Sequence, residues 1–219
     1  METNFIEFFK DVLLEALIET AYMTLVSGVL ATILGFIIAI ILVVTDKEGL
    51  RPNKIVNDVL GFIVNTIRSF PFIILLIAIM PLTKLLVGTL IGATSAIVPL
   101  TIGVAPFIAR IVENALKEVD KGLIEAAKSF GASDSQIVFK VMIKEAMPSI
   151  VSGVTLSIIS IIGFTAMAGT LGAGGLGSVA ITYGYQRFNT SVIIYTVIIL
   201  ILLVQGVQYL GNLAYKKLK

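Results

Sequence analysis

The 219-residue sequence contains no cysteine, no histidine and no tryptophan. These absences exclude disulfides, thiol chemistry, zinc sites built on Cys or His, and imidazole acid–base catalysis. Charge is scarce as well: 14% of residues are ionic and the net charge is +2, too little to indicate a nucleic-acid partner. What fills the chain is apolar. Hydrophobic residues make up 57% of it, against roughly 45–50% in soluble domains, and the mean hydropathy is +1.03. That excess suits about five membrane helices of ~20 residues each.

Charge-free runs locate the expected spans. Thr20 to Thr45 is uncharged and gives the first. Val59 to Thr83 carries only Arg68, with Pro71 three residues later, and gives a second span distorted near that proline. Leu85 to Ala109 gives the third, Ala146 to Gln186 a fourth with a glycine-rich continuation, and Phe188 to Tyr215 the fifth. The expected fold is thus an all-α integral membrane protein with five transmembrane helices in a single domain over 1–219.

Basic residues set the orientation, because Lys and Arg concentrate in cytoplasmic connections. Lys47, Arg51 and Lys54 lie between spans one and two; Arg110, Lys117, Lys121, Lys128, Lys140 and Lys144 between three and four; Lys216, Lys217 and Lys219 in the tail. The other side collects Lys10, Lys84 and Arg187. An N-terminus outside and a C-terminus in the cytoplasm follow. Residues 1–19 carry an acidic stripe, Glu7, Asp11, Glu15 and Glu19, and are not expected to be a cleaved signal. They fit either a helix lying in the membrane interface or a polar extension of the first span.

The segment 110–147 reads as two short helices. Asp120 suits an N-cap, Leu123, Ile124, Ala127 and Phe130 an apolar face, and Gly131 a left-handed terminator. Ser133 and Gln136 then suit a capping box, with Ile137, Val141 and Met142 on one face and Pro148 starting span four. Two covers fit this amphipathic pair: a partner protein, or the chain's own helix ends.

Glu125-Ala126-Ala127, three residues, then Gly131 resembles the EAA-x-x-x-G motif of ABC-importer permeases, in whose family that segment docks on an ATP-binding subunit. The family pattern continues with Ile and Leu-Pro where this chain has Val141, Ile143 and Lys144, and a proline comes only at Pro148. Arg68 to Leu76 (RSFPFIILL), Ala105 to Arg110 (APFIAR) and Gly172 to Gly177 (GAGGLG) are similar to permeases of methionine-uptake ABC importers. The resemblance implies the type I importer architecture, with a homodimer of such chains in a bacterial inner membrane, two cytoplasmic ATPase subunits and an extracytoplasmic substrate-binding protein, often a lipoprotein. It also implies that Glu125, Ala126, Ala127 and Gly131 couple the chain to the ATPase. The ATPase activity then belongs to the partner, and this chain is no enzyme.

The residues agree with an external energy source. No G-x-x-x-x-G-K-[ST] motif is present, and no cofactor site is expected. None of the spans holds an acid of the kind an ion-gradient transporter uses. The alternatives are an importer of the same kind for another amino acid or small metabolite and, more remotely, an ion-gradient transporter.

In span four, small residues recur every third position at Ser157, Ser160, Gly163, Ala166, Gly169, Gly172 and Gly175. Three steps of 100° fall short of a turn, so this lane winds round the helix. Gly163, Ala166, Gly169 and Gly172 are candidates for close helix packing or the pathway wall. Met167 fits either a flexible pathway gate or ordinary packing. Arg68 fits either an anchor at the cytoplasmic interface or a charge facing a wet cavity and pairing with carbonyls freed near Pro71; an inward-facing structural role is expected for it, not that of a substrate ligand.

Overall fold

The computed structural model describes residues 8–218, so Glu2 and Glu7 of the acidic N-terminus and Lys219 lie outside the described residues. Those described are helical almost throughout. Helix α1 runs Phe9–Thr45. Helices α2 (Lys54–Ser69), α3 (Phe72–Ala78) and α4 (Met80–Val87) follow, then α5 (Ala93–Lys117) and α6 (Lys121–Ser129). Helix α7 covers Asp134–Ala173, α8 is Gly175–Val179 prolonged by wide turns over Ala180–Tyr185, and α9 is Thr190–Leu218.

Four of these, α1, α5, α7 and α9, are long and apolar enough to cross a membrane, and α2 with α3 makes a fifth only as a broken span bent by 110°. The break falls at Phe70 and Pro71, where backbone ψ values of 133° and 130° leave the helical region. The distortion expected near Pro71 is therefore a sharp corner, because the residue before proline is driven out of the α region. Beyond it Phe72 stacks on Phe164 of α7 with ring centroids 4.5 Å apart, which pins the short α3 into the core.

The third span is displaced from its expected position: it starts at Ala93, not Leu85, after glycines 88 and 92 at φ 84° and 92°. At its other end α5 continues through Arg110 and Glu113 to Lys117, so eight residues assigned to the loop belong to the span. The segment 110–147 shrinks accordingly. Only 118–133 stands apart from the long helices, since α7 already begins at Asp134 and passes through Pro148 without a break. Pro148 thus sits inside a helix instead of starting one. Its missing N–H releases a carbonyl one turn back, close to the charged end, where water can reach it.

The core lies between α1, α5 and α7. Met23, Ala31, Ala39, Leu100, Val104, Ile108, Val112, Ile150 and Ile161 are all buried there. Alanine and glycine at the crossings bring backbones close: a Cβ added to Gly35 would come within 2.9 Å of the Ala105 carbonyl oxygen. A second, smaller apolar cluster of Leu13, Ala16, Leu176, Val179 and Val192 joins the start of α1 to α8 and α9. Residues 9–19 are part of α1 itself, continuous with the span. Helix α9 is the most open, with 11% of its apolar window buried in the chain.

Candidate functional site

At one end of the bundle, ion pairs gather the helix ends around a single buried carboxylate. Glu113 is 3% exposed. Its oxygens accept from Arg110 Nη1 at 2.6 Å and Lys117 Nζ at 2.8 Å, the three residues lying on one face of α5. Arg110 Nη2 also donates to Asn65 Oδ1 of α2 at 3.0 Å, and Lys117 Nζ to Asp46 Oδ2 after α1 at 2.7 Å. Three helices are thereby joined. The Lys117 bond, with the Glu48 backbone N–H, holds the Asp46 carboxyl below its ordinary 3.8. The sequence alone puts Arg110, Glu113 and Lys117 in the connection between spans three and four; their i, i+3, i+7 spacing is the signal that they share a helix face.

Helix α6 hangs from this cluster. Its cap forms as expected, with Asp120 Oδ1 accepting from Gly122 N at 2.6 Å. Lys121 Nζ reaches Glu48 Oε2 across the cleft at 2.6 Å, raising the lysine and lowering the carboxyl from their ordinary values. Arg51 pairs with Asp134 at the start of α7 at 2.5 Å. Because Lys121 is engaged with Glu48, no ion pair forms along the helix to Glu125, whose carboxylate stands exposed with no ion-pair partner among the described residues. Ala126 is exposed beside it and Ala127 is half-buried against the core. A cleft of about 580 Å³ opens between α6, the 46–50 loop and the end of α5, with Glu125 and Lys128 on its rim and Leu116, Ile124 and Met142 in its floor.

Gly131 follows at φ 77°, a left-handed conformation that a side chain would strain. The capping box is complete: Ser133 N donates to Gln136 Oε1 at 2.8 Å and Gln136 N to Ser133 Oγ at 3.4 Å. The expected apolar face divides in two. Ile124 and Ala127 pack inward, while Leu123 and Phe130 face out, Phe130 being 91% exposed, with Phe139 of α7 exposed nearby. The chain's own helices thus cover one half of the face and leave the other half open.

The candidate residues of α7 also separate. Leu156, Ser160, Gly163, Met167 and Thr170 are exposed along one helical stripe, so Gly163 and Met167 share an open face. Ala166 and Gly169 lie on another side, against α8. A Cβ on Gly169 would come within 2.7 Å of Ser178 N, and one on Gly177 within 2.3 Å of Ala166 Cα. The lane of small residues winds as its spacing requires, and its buried members let α8 fold back on α7. Gly172 at φ 94° makes the turn, and its carbonyl accepts from Gly92 N at 2.9 Å. Here Glu19 of the acidic stripe finds its partner, accepting from Gly175 N at 2.6 Å, while Thr20 Oγ1 accepts from Leu176 N at 2.9 Å.

Residues 31–216 match the family model described as binding-protein-dependent transport system inner membrane component. The chain is 49% identical over 203 residues to the probable D-methionine transport system permease protein MetI of Vibrio cholerae, covering 93% of this chain and 90% of that protein. It is 49% identical over 173 residues to the methionine import system permease protein MetP of Bacillus subtilis, covering 79% and 78%. A solved chain of the MetNI methionine ABC transporter, in an inward-facing conformation, superposes with TM-score 0.93 at 42% identity, covering 95% of this chain and 96% of that one.

Proposed function

The chain belongs to the family of binding-protein-dependent transport system inner membrane components, and we propose that it is the permease subunit of an ATP-driven methionine importer. Identity of 49% across nine-tenths of a D-methionine transport permease carries the substrate assignment. Two copies form the pathway, an extracytoplasmic binding protein delivers the substrate, and two ATP-binding subunits drive the cycle from the cytoplasmic side. The chain makes no covalent change in what it carries.

The charged end faces the cytoplasm in this reading, which puts the N-terminus outside and the C-terminus inside. Glu125, Ala126, Ala127 and Gly131 meet the ATP-binding subunit. Support comes from the open half of α6: a carboxylate with no ion-pair partner beside Ala126, and the exposed Leu123, Phe130 and Phe139, an aromatic-rich patch of the kind that anchors interfaces. Motion of the ATP-binding subunits passes from α6 to the 46–51 loop through Lys121–Glu48, and from that loop to α7 through Arg51–Asp134 and to α5 through Asp46–Lys117. Met167, 45% exposed on the open stripe of α7, is the candidate gate.

Co-purification with the ATP-binding subunit tests the coupling. Gly131→Pro and Glu125→Arg abolish or strongly weaken capture and ATP-driven uptake; intact assembly and uptake in both variants would remove the coupling role. Met167→Ala makes the resting complex leaky or raises basal ATP hydrolysis, and unchanged permeability and hydrolysis would return Met167 to ordinary packing.

A further inference from the structure

Arg68, in the last turn of α2, has no carboxylate partner among the described residues. Its guanidinium carbon lies 5.1 Å from the centroid of the Phe107 ring. Phe107 is ten residues along α5 from Lys117, about 15 Å at 1.5 Å per residue, and Lys117 closes on Asp46 at the charged end. The Arg110–Asn65 bond lies about one turn nearer that end on both helices. Asp58 lies ten residues away on α2, about 15 Å toward the charged end, and Glu113 is already held by Arg110 and Lys117.

A cation within a membrane span has to face water or the bundle interior. Arg68 and Phe107 are both exposed, and the Phe107 ring that Arg68 overlies is one wall of a recess of about 130 Å³ between α5 and α7, shared with Val104, Leu156, Ser160 and Phe164. Small-ligand sites usually span ~300–1,000 Å³, so this recess takes an apolar side chain and leaves the polar end of a ligand outside it, toward Arg68.

We propose that Arg68 receives the carboxylate of the transported amino acid, while the recess beside Phe107 takes its apolar side chain. The planar guanidinium matches a carboxylate with two parallel N–H donors. The Ser160 hydroxyl donates to the Leu156 carbonyl at 3.0 Å, leaving its oxygen as an acceptor for the substrate ammonium. The cargo supplies the counter-ion that the protein lacks, so an amino acid crosses this depth as a neutralising partner. This assignment rests on the importer reading above and adds a substrate contact within the permease.

The test is residue-specific modification of the intact permease–ATPase complex in lipid nanodiscs with phenylglyoxal, followed by mass spectrometry of the Arg68 peptide and, as internal reference, the Arg187 peptide. Excess L-methionine slows labelling of Arg68 at least threefold relative to Arg187, and L-methioninamide, which lacks the carboxylate, does not. Slowing of less than threefold, or equal protection by the amide, overturns the assignment. A second measurement uses Arg68→Gln in proteoliposomes with saturating loaded binding protein. Methionine transported per ATP hydrolysed falls at least threefold, whereas a purely structural role lowers both rates together and keeps their ratio. The wild-type arm separates the two claims: absence of methionine uptake there removes the importer reading, while uptake without protection of Arg68 removes only this contact.

Discussion

At the charged end of the bundle Glu113 is buried between Arg110 and Lys117, and α1, α2 and α5 meet through that network. At the opposite end α8 lies on α7 through Gly169 and Gly177, with backbones too close to admit a side chain, and Glu19 supplies the main polar tie to the turn. The first end is joined by side chains that reach between helix ends and can exchange partners. The second is joined by contacts that permit little sliding. The proposed coupling uses that division: the end assigned to the ATPase subunits moves as linked levers, while a tight hairpin holds the opposite end.

The largest break in this comparison comes from Glu113→Ala. It removes two charge-assisted hydrogen bonds, each worth about 1.5–3 kcal/mol, while Arg110 keeps Asn65 and Lys117 keeps Asp46. Thermal unfolding of the purified complex should fall accordingly; a stability within about 1 kcal/mol of wild type would show the network to be dispensable. Next comes Gly177→Ala at the hairpin. The added Cβ would sit 2.3 Å from Ala166 Cα, where backbone has to shift, and overpacking of this kind costs about 1–3 kcal/mol. The same thermal assay reads it.

Glu19→Gln keeps the shape and removes the charge that accepts from Gly175 N, a loss of about 1 kcal/mol confined to the turn. The chain has no cysteine, so a single Cys at Ser178 reports the change cleanly: its maleimide labelling should speed up in the Gln background, and unchanged labelling would mean that the glycine contacts alone hold the turn. The smallest effect is a pH response of α6. The Glu48 carboxyl is lowered from 4.5 and the Lys121 ammonium raised from 10.5 by their mutual bond. The carboxylate's contribution is present above pH 4.5 and lost as pH falls through its lowered folded value; the lysine's is present below 10.5 and lost as pH rises through its raised one. Protection of the α6 amides, taken relative to intrinsic exchange at each pH, should therefore fall at acid pH in wild type and be already low in Lys121→Ala at neutral pH.

Much of the bundle is legible in the sequence because lipid forbids unpaired charge, so uncharged runs mark apolar depth well. Helix ends are another matter. A charge-free run continues across glycines 88 and 92, where the helix stops, and it ends at Arg110, where the helix goes on because Glu113 and Lys117 neutralise the face. The caps at Asp120 and Ser133 and the turn at Gly131 depend on neighbours within a few residues, and the structure forms all three as their spacing predicts. Contacts such as Glu19 with Gly175, Lys121 with Glu48, or Phe72 on Phe164 join residues far apart in the chain, and no local pattern carries them. The division of the α6 face into a packed half and an open half has the same origin: periodicity shows an apolar face, and tertiary packing decides which part of it stays free.

Uptake of labelled methionine into proteoliposomes containing this chain, its ATP-binding subunit and its binding protein tests the central claim most directly. The account predicts accumulation that requires ATP, is abolished by Gly131→Pro, and is displaced by unlabelled methionine. Accumulation that proceeds without ATP, or that excess methionine fails to displace, would contradict it.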